Sequence, residues 1–317
     1  MSYTQSWLEL EKGLGGRMTL RGTPEEIKAM SNGLAEMLGK QAPPPSEAVS
    51  AEDGEVDGIK YRVYRPKGVT QPLPVGIWTH GGGWMTGDLN SDDALCRIVS
   101  EHASSVIVNV DYRLTPEFKL PTQLQDTLTV YKWARQNAVS IGGDPAKFFS
   151  IGGSAGGALA LALANHIVKD PANRNGIRGI AAVVPVALHW SHVPEEYKSM
   201  YKAYDDNKEG TPIIDQESMR LFFESSGARH DDPSIFVALD KENHKNFPPT
   251  YLAACERDPL RDDAFVMEAA LKKAGVPTKL DFYKALPHYF WIFPGLPEGQ
   301  QFVANLVTGV KWLISQM

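Results

Sequence analysis

Ser154 stands among four glycines in FSIGGSAGGALALALA, residues 149–164. Gly152-Gly153-Ser154-Ala155-Gly156 fits G-x-S-x-G, with the β-rich run KFFSI before it and a helix-forming run after it. A nucleophilic serine needs that context. A strained strand–turn–helix lifts Oγ above a sheet, and glycines stand where side chains would collide. The helix N-terminus beyond the turn favours negative charge developing beside the serine. Counted from Gly152, Ser154 replaces the second glycine of G-x-G-x-x-G, so a dinucleotide site is not expected.

A second glycine run, Trp78-Thr79-His80-Gly81-Gly82-Gly83-Trp84, follows another β-rich run about seventy residues earlier. An HGGG segment there supplies backbone N–H groups to an oxyanion, with no Cβ in the substrate's way. Together the two runs name one chemistry, acyl transfer through a serine.

These segments need a frame to hold them. From residue 59 onward, strand-like and helix-like runs alternate: IKYRVYRP, PVGIWTH, SSVIVNVDY, KFFSIGG, GIAAVVPV, PTYLAACE and TKLDFYKA, with helical runs between most of them. Such alternation predicts an α/β fold, a mostly parallel central sheet flanked by helices. The helical run SDDALCRIVSEHA starts with Ser91 as its expected N-cap. Thr23, Pro24 and Glu26 predict a capping-box helix start. Residues 1–45 are expected to form an N-terminal arm that contributes to a cap. The core is expected at 46–188 and 247–317, interrupted by a cap insertion at 189–246 that is aromatic, irregular and proline-punctuated.

The chain has 317 residues, 43% of them hydrophobic and 22% charged, with a net charge of −6. An acidic balance argues against a nucleic-acid partner, which calls for a basic stripe. The apolar run at 155–164 is too short to span a bilayer, and no signal peptide is legible at the start. Cys96 and Cys255 lie far apart in apolar runs, as buried free thiols do. A cytoplasmic, reducing setting is expected. The sequence leaves the oligomeric state open, a homodimer included.

HGGGW, DYRLTPE (111–117), GGSAGG (152–157), DPLRD (258–262) and PHYF (287–290) occur in the order that resembles the hormone-sensitive-lipase-like branch of the α/β-hydrolases, over roughly residues 55–315. LNSDDALCR after HGGGW is also similar to fungal esterases of the versiconal hemiacetal acetate type. The resemblance implies an α/β-hydrolase fold with a helical cap. It implies Ser154 as nucleophile, Asp258 as acid, His288 as base, and the amides of Gly82, Gly83 and Ala155 as oxyanion donors. Ser, Asp, His is also the chain order this fold uses. Asp258 and His288 each follow a strand-like run, which puts them at strand C-termini, where open α/β sheets bind ligands.

The chain departs from that family in three places. The residue before the serine is Gly153 where an acid is usual, the residue after the histidine is Tyr289 where a small one is usual, and Thr115 replaces alanine. Gly152, Gly156 and Gly157 have steric reasons in an elbow. Gly153 has none legible in the sequence, and an aspartate there is expected to be tolerated.

Other candidates read as structural. His102 and His166 lie in helical runs. His189 and His192 are spaced i, i+3 but lack a legible third ligand, so no metal site is expected. Asp262 and Asp263 open a helix and read as partners of its dipole. Tyr112, Arg113 and Glu117 are expected to brace the oxyanion loop. The expected activity is hydrolysis of short-chain acyl esters of a small, apolar alcohol, with no cofactor, and with Trp84, Trp190, Tyr201, Phe222 and Tyr289 against the substrate. Two alternatives share the fold: a non-catalytic small-molecule receptor, and a biosynthetic acyltransferase, lyase or cyclase that reuses the serine.

Overall fold

A computed structural model describes residues 2–317. Its strands are β1 (Val49–Val56), β2 (Ile59–Pro66), β3 (Leu73–Thr79), β4 (Val106–Asp111), β5 (Gly143–Gly153), β6 (Ile180–Val183), β7 (Thr250–Arg257) and β8 (Thr278–Pro287). They form one sheet in the order β1-β2-β4-β3-β5-β6-β7-β8. β2 runs antiparallel to both its neighbours, and the pairs from β4 to β8 are parallel. β3 and β6 are buried along their whole length, the continuous apolar pattern of strands covered on both faces.

Among the described residues, nine α-helices accompany the sheet: α1 (Gln5–Gly13), α2 (Pro24–Gly39), α3 (Asp93–His102), α4 (Thr122–Gln136), α5 (Ala155–Val168), α6 (Ala203–Asp206), α7 (Gln216–Ser226), α8 (Arg261–Lys273) and α9 (Pro297–Ser315). After β3 the chain crosses through α3 to β4 on one side. It then returns past β3 to β5 and crosses through α5 to β6 on the other. Right-handed crossovers in opposite directions put α3 and α5 on opposite faces. α3 packs beside α9, and α4 beside α5. Nearly every residue of α5 is buried, which is why ALALALA lacks a polar stripe. The reversal between β3 and β5 is a topological switch point, the place where such sheets leave a crevice beyond their strand ends.

Two local features differ from the sequence expectation. β1 carries no strand-like apolar run, because its acids face water at the sheet's edge. The signal for it was the Asp57-Gly58 turn, both residues at positive φ, which closes a two-residue hairpin onto β2. Ser91 does not cap α3. The N-cap is Asp92, and Ser91 bonds to the Asp88 region instead. The capping box of Thr23 and Glu26 forms as expected. Both cysteines are buried and free.

Segment 189–246 holds only α6, α7 and short 3-10 turns. The N-terminal arm is stitched to it: Ile213 N–H donates to Met18 O at 2.8 Å, Leu20 N–H donates to Ile213 O at 2.9 Å, and Arg21 pairs with buried Asp215. Among the described residues, no helix is long and apolar enough to cross a membrane.

Candidate active site

The turn between β5 and α5 holds Ser154 at φ 55°, ψ −120°. That is a sparsely populated conformation for a side-chain-bearing residue, and it persists only where surroundings impose it. They do so here through backbone packing. A Cβ at Gly156 would overlap the carbonyl oxygens of Thr79 and His80, and one at Gly152 would lie 2.6 Å from Thr79 O. Ser154 N–H donates to Val183 O at 2.8 Å, which fixes the turn to β6.

His288 follows β8 and Asp258 follows β7. His288 Nε2 lies 3.0 Å from Ser154 Oγ, and its Nδ1 lies 2.6 Å from Asp258 Oδ2. Leu260 N–H donates to Asp258 Oδ1 at 2.8 Å, so the carboxylate is held from both ends. The structure thus brings together the three residues that the motif order singled out. Asp258 is fully buried, His288 is 3% exposed and Ser154 7%.

The HGGG loop leaves β3 alongside. Gly82 and Gly83 have φ of 107° and 62°, values that turn their amides where an L-residue would not. The loop is braced from behind. Tyr112 donates its hydroxyl to His80 O at 2.7 Å and stacks on the His80 ring at 4.2 Å. Thr115 N–H donates to Trp84 O at 2.8 Å. Burial pushes His80 down to about 4, so its imidazole is neutral, with Nδ1 donating to Gly81 O at 2.7 Å. Of the other expected braces, Arg113 grips Asp126 instead, and Glu117 pairs with Lys28 of α2, tying down the arm.

The five residues expected against substrate separate into groups. Trp84 is buried in the oxyanion loop at φ 60°, its ring 6.1 Å from Phe223. Phe222 of α7 packs on Gly83, where a Cβ would lie 2.5 Å from the ring's Cγ. Tyr289 sits beside the base, its ring 5.0 Å from that of His288. Trp190 and Tyr201 lie farther out, lining a cleft of ≈ 500 Å³ with His192, Tyr204 and Gln216. The Tyr201 hydroxyl is committed to Asp263 Oδ2 at 2.7 Å.

Asp262 and Asp263 do more than open α8. Asp262 Oδ2 accepts the N–H of Lys202 at 2.6 Å and of Ala203 at 2.7 Å. Asp263 Oδ1 accepts the N–H of Ala187 at 2.8 Å and of Leu188 at 3.0 Å. They clip the covering segment to the loop that carries Asp258. Burial pushes the Asp263 carboxyl up to about 7, against the three donors that favour its charge. Asn207 Nδ2 adds a 3.2 Å bond to Asp258 O. In sequence, two acids at a helix start look like dipole partners, and their targets far along the chain leave no local trace. His230 also joins His189 and His192, with ring distances of 6.2 and 5.0 Å. Burial, then these two neighbours, pushes His189 down to about 4.

A strained serine at a strand–turn–helix elbow beside a glycine-rich loop, with a histidine and a carboxylate in line, is the arrangement of an α/β-hydrolase. Residues 76–292 match the family described as the alpha/beta hydrolase fold, and the chain belongs to it. The resemblance to the hormone-sensitive-lipase-like branch holds. Among its relatives, the chain is 59% identical over 315 residues to versiconal hemiacetal acetate esterase of Dothistroma septosporum, covering 99% of this chain and 96% of that one. It is 33% identical to the Aspergillus parasiticus protein of the same name, covering 97% of each. The crystal structure of vibralactone cyclase superposes with a TM-score of 0.92 at 31% identity, covering 99% of this chain and 96% of that one. An esterase of Pyrobaculum calidifontis superposes with a TM-score of 0.85 at 26% identity, covering 99% of each.

Proposed function

We propose that this chain is a serine carboxylic ester hydrolase in which Ser154 attacks the acyl carbon. The hydrogen-bonded line from Asp258 through His288 to Ser154, at 2.6 and 3.0 Å, carries that reading. His288 Nε2 takes the hydroxyl proton, and Asp258 holds Nδ1–H and stabilises the imidazolium. The amides of Gly82, Gly83 and Ala155 hold the tetrahedral oxyanion, and loss of one such donor costs about 3–4 kcal/mol in comparable sites. His288 returns the proton to the leaving alcohol, and water then resolves the acyl-enzyme by the same route.

The substrates are short-chain acyl esters of a small, apolar alcohol. Trp84, Phe222 and Tyr289 crowd the serine and its oxyanion loop, which favours a short acyl group. The names of the Dothistroma and Aspergillus relatives, both acetate esterases, support the same length. Residues 1–45 and 189–246 act as the cap over the crevice. The protein works in a reducing cytoplasm, where Cys96 and Cys255 stay unpaired.

Turnover of p-nitrophenyl esters of graded chain length tests this. kcat/KM is expected to peak between acetate and butyrate, and Ser154→Ala is expected to lose turnover by about four orders of magnitude or more with its fold intact. A long-chain optimum would overturn the acyl length, and an active Ser154→Ala the mechanism. Undiminished binding of a small molecule with no turnover in the wild type would favour the receptor reading.

The likeness to a cyclase favours a second reading, in which the substrate's own nucleophile resolves the acyl-enzyme. Turnover of the native substrate in ¹⁸O-water separates the two. Hydrolysis places the label in the acid product, and internal capture leaves the product unlabelled.

A further inference from the structure

Gly153 and Tyr289 are the chain's two departures beside the reacting residues, and in the fold they touch. A Cβ added at Gly153 would overlap the phenol oxygen of Tyr289 and lie 2.9 Å from its Cζ. A Cβ at Gly81 would overlap the same oxygen and lie 2.7 Å from the same Cζ. The tip of the ring is therefore wedged between the first glycine of the oxyanion loop and the residue before the nucleophile. The aspartate expected to be tolerated at 153 would therefore have to displace this ring.

The chain holds the ring there against a backbone preference. Tyr289 lies at φ 55°, ψ 26°, in the left-handed region that a bulky residue avoids. Its ring is stacked at a tilt between His288, at 5.0 Å, and Trp291, at 4.7 Å. The far side of the oxyanion loop is also fixed. Buried Asp92 accepts the Trp78 indole N–H at 3.0 Å and lies against the Gly81 backbone. Three parts of the site thus converge on one ring: the base through its neighbour in sequence, the loop through Gly81, and the elbow through Gly153.

We propose that Tyr289 is a positioning residue that sets the spacing between the oxyanion loop, the nucleophile elbow and His288, with Gly81 and Gly153 as its socket. A displaced ring would move the Gly82 and Gly83 amides relative to Ser154 Oγ. Misplacement on the scale of an ångström is enough to lower the rate of an aligned reaction strongly. Ground-state binding depends less on that alignment, so the loss belongs in kcat.

The proposal rests on the ester-hydrolase reading, which wild-type and Ser154→Ala turnover of p-nitrophenyl acetate tests separately. Given that turnover, four variants decide it: Gly153→Asp, Tyr289→Gly, their double variant and Tyr289→Phe. Each is corrected for competent enzyme by fluorophosphonate titration. Gly153→Asp is expected to lower kcat about a hundredfold and Tyr289→Gly about tenfold, with KM within about threefold in both. The double variant is expected within about threefold of Tyr289→Gly, because the aspartate then has room. Affinity for a trifluoromethyl ketone, which adds to serine as a tetrahedral adduct, should fall in step with kcat/KM across the set. Tyr289→Phe should lose less than Tyr289→Gly, since it keeps the ring. If Gly153→Asp is insoluble and the double variant soluble, that rescue reports the same coupling. Single losses that multiply in the double variant would overturn the proposal, as would losses confined to KM. A Tyr289→Phe loss equal to that of Tyr289→Gly would also overturn it, by making the hydroxyl the acting group.

Discussion

At the strand ends, backbone packs on backbone. Gly152 and Gly156 leave no room for a Cβ against Thr79 and His80, and Gly157 lies close against Val183 O and Pro185. In segment 189–246, besides the main-chain bonds of Ile213 to the arm, side chains reach across. Asp262 takes the amides of Lys202 and Ala203, Asp263 joins Tyr201 to the amides of Ala187 and Leu188, Asn207 reaches Asp258 O, and Asp215 holds Arg21 of the arm. A floor built from main-chain contacts has no soft coordinate, so the reacting atoms keep their spacing. In the cap reading proposed above, a segment joined to the sheet largely through side chains can open locally at a cost below that of global unfolding. With Ser154 only 7% exposed, such an opening would be the route for substrate and product under that reading.

The largest effects should come from the floor. His288→Ala and Asp258→Asn are each expected to lower kcat by at least about a thousandfold, and the double variant should be little worse than His288→Ala, because members of one unit are not additive. Steady-state kinetics on p-nitrophenyl acetate checks this, and losses that multiply would separate the two residues. Tm and limited proteolysis compare the floor with the cap. Gly156→Ala drives a Cβ into two carbonyl oxygens and is expected to cost at least about 3 kcal/mol of global stability. Asp262→Ala orphans two amides and is expected to cost about 1–3 kcal/mol, with faster cleavage confined to 189–246. Uniform loosening in Asp262→Ala would deny that the cap opens as a unit.

How much was legible follows the same division. The elbow, the HGGG run and the order Ser154, Asp258, His288 carry short motifs whose local steric demands name their place, and the alternating runs gave the sheet. The β1 strand escaped because it is polar and edge-exposed, although Asp57-Gly58 marked its hairpin. The pins of the cap escaped for a different reason. Asp262 and Asp263 act on amides far along the chain, and nothing in their neighbours encodes those targets. Gly153 looked unexplained for the same cause, since its reason is the ring of Tyr289. Sequence motifs record local geometry; contacts between distant segments leave only departures from it.

The smallest effect is one of pH. Burial raises the Asp263 carboxyl from 3.8 to about 7. Between those values the folded protein keeps a proton that the unfolded chain has released, so this group's contribution to stability falls as pH rises through that window. Asp263→Asn lacks the slope. Its Tm is expected to gain on the wild type between pH 4.5 and pH 7.5, by several degrees at most. A gap that stays constant with pH would mean that Asp263 is ionised throughout.

The central claim is that Ser154, activated through His288, is the nucleophile. Stoichiometric inactivation by a fluorophosphonate, followed by peptide mass spectrometry, tests it most directly. One label per chain on the peptide containing Ser154 is expected, with activity lost in proportion and both effects slowed severely in His288→Ala. A label on another residue, or full turnover by protein labelled at Ser154, would contradict it.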